Sequence, residues 1–161
     1  MKKFIQNIFL AGVLISAPLF PYTIKTPVDL GNWLAKNFTY QYETTKHEYW
    51  KSPKETVKDK GGDCEDLAFL AEHVLKKLGY ETYIIIIHYK EISSSAHAVC
   101  VFKHKDGTFS YYSNLYYDSK RYNSIPEALT GQANSWGLTW QLGHIVLSRI
   151  GRYGYPKWRN K

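Results

Sequence analysis

Residues 61–79 read GGDCEDLAFLAEHVLKKLG, a glycine pair followed by a long amphipathic segment and a closing glycine. From Cys64 to Leu78 the apolar residues recur every three or four positions, which is the spacing of one face of an α-helix. Gly79 supplies a typical helix stop. The stretch therefore predicts a helix that begins at Cys64, directly after a glycine turn.

The segments after this helix have the pattern of β-strands. Tyr83–Ile87 is a continuous apolar run rich in β-branched residues, typical of a strand buried on both faces. Residues 96–103 and 108–115 flank an Asp-Gly pair, which is a strong hairpin signal. A helix followed by antiparallel strands indicates an α+β fold, with the Cys64 helix packed on the sheet.

The rest of the chain adds shorter elements. Residues 27–38 predict a helix opened by proline, residues 39–60 a loop with short elements, and residues 126–129 one short helix. Residues 136–150 fit a strand and a helix equally well. No repeat or long linker divides the chain, so residues 21–161 are expected to form a single domain that ends in a basic, aromatic tail.

The first twenty residues resemble an export signal. Two lysines precede an apolar run at residues 8–20, which is long enough for a secretory signal and short for a membrane span. Pro18 follows Ala17, the natural last residue before cleavage, so an uncleaved membrane anchor is the alternative. We expect an exported protein that is periplasmic, secreted or membrane-anchored; a cytoplasmic protein with a buried N-terminal helix is the other alternative.

Composition narrows the class of protein. The 161 residues include 21 Lys and Arg against 14 Asp and Glu, giving a formal charge of +7, and 44% are hydrophobic. This apolar content excludes an intrinsically disordered chain, and two cysteines are too few for a disulfide scaffold. The charge fits an anionic partner. Nucleic acid is not favoured, because no recognised nucleic-acid-binding module accompanies the charge.

Cys64 is the strongest candidate for chemistry. At a helix start, unpaired N–H groups and the helix dipole favour a thiolate and lower the pKa of a cysteine. Asp63 and Glu65 would oppose this effect if they pointed toward the sulfur, although they could cap the helix instead. The alternative is a small buried residue with no chemical role.

A cysteine nucleophile needs a base, and His97 is the best placed of the six histidines. It begins a predicted strand after three serines, so its ring can project at a sheet edge. His73 lies nine residues along the Cys64 helix and therefore about 13 Å away. His88 and His104 are expected in exposed loops.

The hairpin count selects a third residue to orient His97. A two-residue turn pairs Val99 with Asn114 and places Asn114 on the His97 face of the sheet, since side chains alternate along a strand. A three-residue turn presents Ser113 instead. Cys100 points to the opposite face, which favours a packed core thiol.

Three motifs together resemble a known family. The chain reads WKSPKET at residues 50–56, GGDCEDLA at residues 61–68 and HAV at residues 97–99. This order is similar to the transglutaminase-like cysteine peptidase superfamily, and in particular to its bacterial branch. The resemblance implies a papain/transglutaminase-like core in which Cys64 attacks a carbonyl and His97 shuttles the proton.

One position departs from the family pattern. Relatives carry Asp-Asn at the end of the second hairpin strand, where this chain has Ser113 and Asn114. Asn114 is the predicted third catalytic residue, Ser113 is the alternative, and Asp118 is a less favoured substitute because it lies beyond the strand. Without a working third residue, the protein would be a non-catalytic binder.

The expected activity is cysteine-dependent acyl transfer from a peptide or side-chain amide, with hydrolysis favoured over cross-linking. Backbone N–H groups at the Cys64 helix start would contribute to an oxyanion hole, and Trp50 or Tyr42 is a guess for a second donor. The partner would be a protein or peptide substrate. The alternative is a binding module on the same scaffold, whose basic aromatic tail engages an anionic or cell-envelope partner.

No cofactor is expected. Some bacterial relatives bind calcium through the aspartates that flank the cysteine, which correspond to Asp63 and Asp66 here. A calcium site needs about six to eight oxygen ligands, so these two residues alone favour helix capping. No zinc motif accompanies the cysteines.

Overall fold

A computed structural model describes residues 20–21, 23–42, 49–92 and 96–146. Its helices are Pro27–Asn37 (α1), Pro53–Asp59 (α2), Cys64–Lys77 (α3) and Ile125–Ser135 (α4). Its strands are Thr39–Tyr40 (β1), Gly61–Gly62 (β2), Glu81–Tyr89 (β3), Ala96–Lys103 (β4), Phe109–Ser113 (β5), Tyr116–Tyr122 (β6) and Trp140–Ile145 (β7). The predicted export segment, apart from Phe20, and the whole basic tail, residues 149–161, lie outside the described residues. Within the described ranges no helix has the length and apolarity needed to cross a bilayer.

The main sheet has five antiparallel strands in the order β6-β5-β4-β3-β7. Helix α3 packs on one face and α4 on the other. All four residues of Ile84–Ile87 are buried, because alternate side chains enter the two cores. The predicted α+β fold, with the cysteine helix on an antiparallel sheet, is therefore confirmed.

Helix α3 begins at Cys64, as predicted. Asp63 is the N-cap and forms a capping box with Asp66, which satisfies two backbone N–H groups at the helix start. Leu67 and Leu70 are fully buried against the sheet. Burial of each such side chain stabilises the fold by about 1.5–3 kcal/mol, so the amphipathic face fixes the helix on the sheet.

The glycine pair before α3 is required by close packing. Gly61 and Gly62 form β2, which pairs with β1 in parallel. A Cβ atom on Gly61 would lie 2.4 Å from the Thr39 carbonyl oxygen, and one on Gly62 would lie 2.4 Å from the Asp66 Cβ. Both contacts are too short for any side chain, so the glycines allow the chain to reach the start of α3.

We expect Gly62→Ala to destabilise the protein by about 1–3 kcal/mol, because the added methyl group must displace the buried Asp66. Urea denaturation followed by circular dichroism measures the change. Lys54→Ala, at an exposed position on α2, is the control and should change the free energy of unfolding by less than about 0.5 kcal/mol. Equal midpoints for the two variants would contradict the proposed clash.

The second half of the chain differs in detail from the sequence prediction. Helix α4 is longer than the short helix predicted at residues 126–129, and residues 140–145 of the ambiguous segment form β7. Strand β6 was not predicted; it completes one edge of the sheet with a mostly exposed, polar strand. Its polar pattern is the reason that apolar periodicity does not identify it.

Candidate active site

The thiol of Cys64 lies between the start of α3 and the start of β4. Cys64 is 8% exposed, and its Sγ donates a hydrogen bond to Glu65 Oε2 at 2.9 Å. The backbone N–H of Ala98, the residue that follows His97, interacts with the same sulfur. The fold therefore brings the sulfur next to the strand segment that carries His97.

The resting sulfur is a protonated thiol. Burial raises the pKa of Cys64 above its ordinary value, and the Glu65 carboxylate raises it further, while the Ala98 N–H opposes them. The expectation that the helix start lowers this pKa is wrong for the resting structure. Asp63 caps α3 and its charge adds a smaller raising effect on the Cys64 pKa, whereas Glu65 bonds the sulfur directly.

The His97 ring is buried and held from two sides. A hydrogen bond of 2.8 Å joins His97 Nε2 to Ser113 Oγ, and the Trp136 ring lies against the imidazole with 4.4 Å between centroids. Burial lowers the pKa of His97 to about 4. The imidazole is therefore neutral at physiological pH. Ser113 forms its hydrogen bond with Nε2, so Nδ1 is the ring nitrogen that does not bond Ser113.

The hairpin register selects Ser113, so the two-residue turn that favoured Asn114 is wrong. His104 N–H donates to the Thr108 carbonyl at 2.7 Å and closes a three-residue turn, residues 105–107, which is the alternative that presents Ser113. The longer loop shifts the pairing by one residue and places Val99 opposite Ser113. A one-residue shift exchanges the faces of a strand, which is why Ser113 and not Asn114 reaches His97.

Asn114 and Asp118 lie elsewhere. Asn114 has a φ of 54° and begins the turn between β5 and β6; its Oδ1 is buried and has no hydrogen-bond partner within the described part of the chain. Asp118 lies on β6, where its carboxylate accepts bonds from the Tyr122 hydroxyl and the Lys120 N–H, both at 2.9 Å. Neither contacts His97 in the described hydrogen bonds, and their catalytic roles stay predictions.

Substitution of Ser113 tests how His97 is held. Ser113→Asp should raise the pKa of His97, because a carboxylate beside the imidazole favours its charged form. NMR titration of the His97 ring measures this pKa in the wild type and the variant. An unchanged pKa in Ser113→Asp would show that residue 113 does not act on His97.

A cleft of about 290 Å³ opens beside Ser113 and Trp136, the two residues that contact His97. We call it the active-site cleft; its lining also includes Tyr40, Asn114, Leu115, Tyr116 and Ser135. Sequence reasoning missed Tyr40 and Trp136, which β1 and the end of α4 bring to the cleft from distant parts of the chain. Burial raises the pKa of Tyr40, and an electrostatic interaction between the Tyr40 phenol and Cys64 raises it further, so this phenol lies near the sulfur.

The two residues guessed as oxyanion donors differ in position. Trp50 is buried and packs on Phe69 with 5.5 Å between ring centroids. Tyr42 is 82% exposed and its ring contacts Tyr40 at 4.8 Å. The oxyanion role of either residue stays a prediction.

Asp63 and Asp66 form part of the α3 cap. Asp66 Oδ1 accepts the Lys51 N–H at 2.7 Å, Asp66 Oδ2 accepts the Asp63 N–H at 3.4 Å, and Asp63 Oδ1 accepts the Asp66 N–H at 3.3 Å. Burial, and then the Asp63 charge, raise the pKa of Asp66 to about 7. Among the described residues no three acids, histidines or cysteines group as metal ligands, so these carboxylates do not by themselves fit calcium.

The other cysteine and histidines lie away from this pair. Cys64 and Cys100 are both free thiols, and Cys100 is fully buried in the core between α3 and the sheet. His104, expected to be exposed, is buried and hydrogen-bonded to Ser110 Oγ at 2.8 Å. His88 is half-buried on β3, where its ring contacts that of His144.

Comparisons with known proteins agree with this architecture. Residues 21–116 match the family model of a transglutaminase-like domain. Legionella pneumophila LapG, EGTA-treated, is 22% identical with a TM-score of 0.50, covering 71% of this chain and 59% of that chain. Its calcium-bound form is 22% identical with a TM-score of 0.49, covering 73% and 64%. A candidate cysteine protease from Cytophaga hutchinsonii is 14% identical with a TM-score of 0.50, covering 73% and 35%.

The chain thus spans less than two thirds of the length of these solved proteins. No curated protein sequence gives a significant match. At these identities the likeness to the solved proteins is one of fold.

Proposed function

Since the chain belongs to the transglutaminase-like domain family, we propose that it is a cysteine-dependent hydrolase of peptide or side-chain amides. One observation carries this proposal: a buried thiol at a helix start lies against the strand segment of a neutral, hydrogen-bonded histidine. This is the arrangement that nucleophilic catalysis by sulfur requires, with Cys64 as nucleophile, His97 as base and Ser113 as the residue that orients the base.

The proposed reaction uses each of these groups in turn. As Cys64 Sγ attacks the amide carbonyl, His97 accepts the thiol proton, and N–H groups at the α3 start stabilise the oxyanion. His97 then donates the proton to the leaving amine, the C–N bond breaks, and a thioester remains. Water attacks the thioester carbonyl while His97 accepts its proton; the C–S bond then breaks, His97 returns the proton to Cys64 Sγ, and the carboxylic acid leaves.

Glu65 defines the resting state from which this reaction starts. The thiol donates to Glu65 rather than to His97, so the proton must change partner before or during attack. A substrate carbonyl that enters beside Cys64 would exclude water from the site. Because the thiol proton must pass to His97, we infer that substrate binding displaces the Cys64–Glu65 hydrogen bond.

Alkylation by iodoacetamide tests this resting state. We expect the wild-type apparent pKa of Cys64 to lie above the free-thiol value of about 8.5, because burial and Glu65 disfavour the thiolate. Glu65→Gln removes one negative charge and should increase the alkylation rate at pH 7.5 by about tenfold, equivalent to about one pKa unit. Cys64→Ala should show only the background of the fully buried Cys100. A Glu65→Gln rate equal to wild type would contradict the contact.

A peptide library tests the function itself. Wild-type protein is incubated with a proteome-derived peptide pool, and new termini are identified by mass spectrometry. The proposal expects cleavages that Cys64→Ala and His97→Ala both lose. A wild-type pattern identical to that of Cys64→Ala would contradict it.

The alternative function is a non-catalytic binding module. Ser113 gives His97 a neutral hydroxyl in place of a charged orienting group, and an open pocket elsewhere is lined by Lys25, Lys103 and Lys105. These features would suit an anionic or cell-envelope partner. Absence of cleavage, together with binding that weakens as salt increases, would favour this function.

We also propose that the protein is exported, on the basis of residues 1–20, and cell fractionation tests this proposal.

A further inference from the structure

A second cavity, of about 640 Å³, lies between β6 and α4. We call it the β6–α4 pocket; its lining includes Tyr116, Asp118, Tyr122, Glu127, Asn134 and Ser135. The volume is in the range of sites that bind a small molecule or part of a peptide. The reaction proposed above makes no use of it.

The pocket continues from the active-site cleft. Tyr116 and Ser135 line both cavities. A polypeptide whose amide lies beside His97 and Trp136 would therefore pass between Tyr116 and Ser135 and place a neighbouring residue in the β6–α4 pocket. The pocket is positioned to recognise the substrate rather than to react with it.

The charge of the pocket favours a cation. Asp118 is 6% exposed, and its carboxylate accepts hydrogen bonds from two neutral donors, the Tyr122 hydroxyl and the Lys120 backbone N–H. Glu127 adds a second carboxylate to the lining. Lys120 is the one ammonium group in the lining, and its side chain is exposed. A buried carboxylate is best compensated by a positive partner, which a ligand can supply.

Tyr111 lies behind the pocket and packs against two residues of its lining. It is 1% exposed, and its hydroxyl interacts with Asp118 and Ser135, both of which line the pocket. These neighbours of Asp118 are neutral, so they leave the charge of its carboxylate uncompensated.

We propose that the β6–α4 pocket binds the lysine or arginine side chain of a polypeptide substrate, close in sequence to the amide that Cys64 attacks. Asp118 is the carboxylate that pairs with this cation, and Glu127 adds to the negative potential of the pocket. This proposal rests on the proposed function for its substrate class, and its binding test is independent of turnover.

The test uses Cys64→Ala protein and fluorescein-labelled hexapeptide pools in which one position is fixed as lysine, norleucine or glutamate. Anisotropy measures binding. Each of the six positions is fixed in turn. At the position that reaches the pocket, the lysine pool should bind about tenfold more tightly than the norleucine pool, which is the effect of one charge-assisted contact. Norleucine has a similar apolar stem without the charge, so the comparison isolates the ammonium group.

Asn134 provides a variant that spares the buried carboxylate. It is exposed on α4 and lines the pocket. Asn134→Lys should weaken binding of the lysine pool by about tenfold, whereas Asn134→Glu should not weaken it. The matched controls are Asn32→Lys and Asn32→Glu, which make the same charge changes at an exposed position of α1 and should have no effect.

The outcomes separate the two proposals. Equal binding of lysine and norleucine pools at every position, or equal effects at Asn134 and Asn32, would overturn the pocket proposal. Lysine-selective binding that Asn134→Lys weakens, in a protein whose wild type cleaves nothing, would support the pocket and contradict the hydrolase. Cleavage by the wild type without preference for lysine or arginine would support the hydrolase and contradict the pocket proposal.

Discussion

Replacing Cys64 with alanine is expected to reduce kcat/KM for peptide hydrolysis by at least about 10⁴-fold, because no thioester can form. The fold should survive. Cys64 occupies the first turn of α3, where alanine is a good helix former, and the Asp63–Asp66 capping box remains. A quenched fluorescent peptide chosen from the library measures the rate, and thermal unfolding followed by circular dichroism measures the stability.

Cys100→Ala is the matched control for this change. It also replaces a buried thiol, but one in the core between α3 and the sheet, so it should lower stability while leaving kcat/KM within about threefold of wild type. If Cys64→Ala kept its activity, or if Cys100→Ala lost it, sulfur chemistry at Cys64 could not be the source of hydrolysis.

His97→Ala is expected to lower kcat/KM by about 10²–10⁴-fold, the usual contribution of a general base. The wild-type pH profile gives a second test of the same residue. Because burial lowers the pKa of His97 to about 4, its base form persists down to that pH and the rate should fall only below it. An unperturbed imidazole would lose its base form near pH 6.5.

The control for His97 is His104→Ala. His104 is also buried and also bonded to a serine hydroxyl, but it lies at the other end of β4. Activity should be retained in His104→Ala after allowance for any loss of folded protein. A wild-type acid limb near pH 6.5, or equal losses in the two variants, would contradict the assigned role of His97.

Local pattern was sufficient to predict the elements that carry the two reacting groups. The apolar spacing after Gly61 and Gly62 defines the start of α3 at Cys64, and the Asp-Gly hairpin signal after residues 96–103 indicates β4 with His97 near its beginning. Both features depend on neighbours within a few residues. The start of α3 and the position of β4 can therefore be predicted from short stretches of sequence.

The third residue could not be predicted in the same way, because it depends on the length of a loop. An Asp-Gly pair suggests a two-residue turn, but the backbone closes between His104 and Thr108. This change of register exchanges Asn114 for Ser113 opposite Val99. Strand pairing counted from a turn is only as accurate as the assumed turn length. An error of one residue moves every side chain of the strand to the opposite face of the sheet.

Tertiary packing sets the remaining features. Trp136 lies 39 positions after His97, and only the packing of α4 on the sheet brings the two rings together. The geometry of the helix cap likewise sets the orientation of the two acids that flank Cys64. Asp63 accepts a hydrogen bond from the Asp66 N–H, and Glu65 accepts one from the Cys64 thiol. Neither outcome is visible in the order of residues.

The hydrogen bond from Cys64 to Glu65 also bears on the chemical durability of the sulfur. Peroxide and disulfide reagents attack the thiolate, so a thiol that is kept protonated and 8% exposed is oxidised slowly. A nucleophile in this state would survive long intervals without substrate and avoid conversion to sulfenic or sulfinic acid. The same contact that delays the first attack on an amide would thus preserve the reduced sulfur on which every turnover depends.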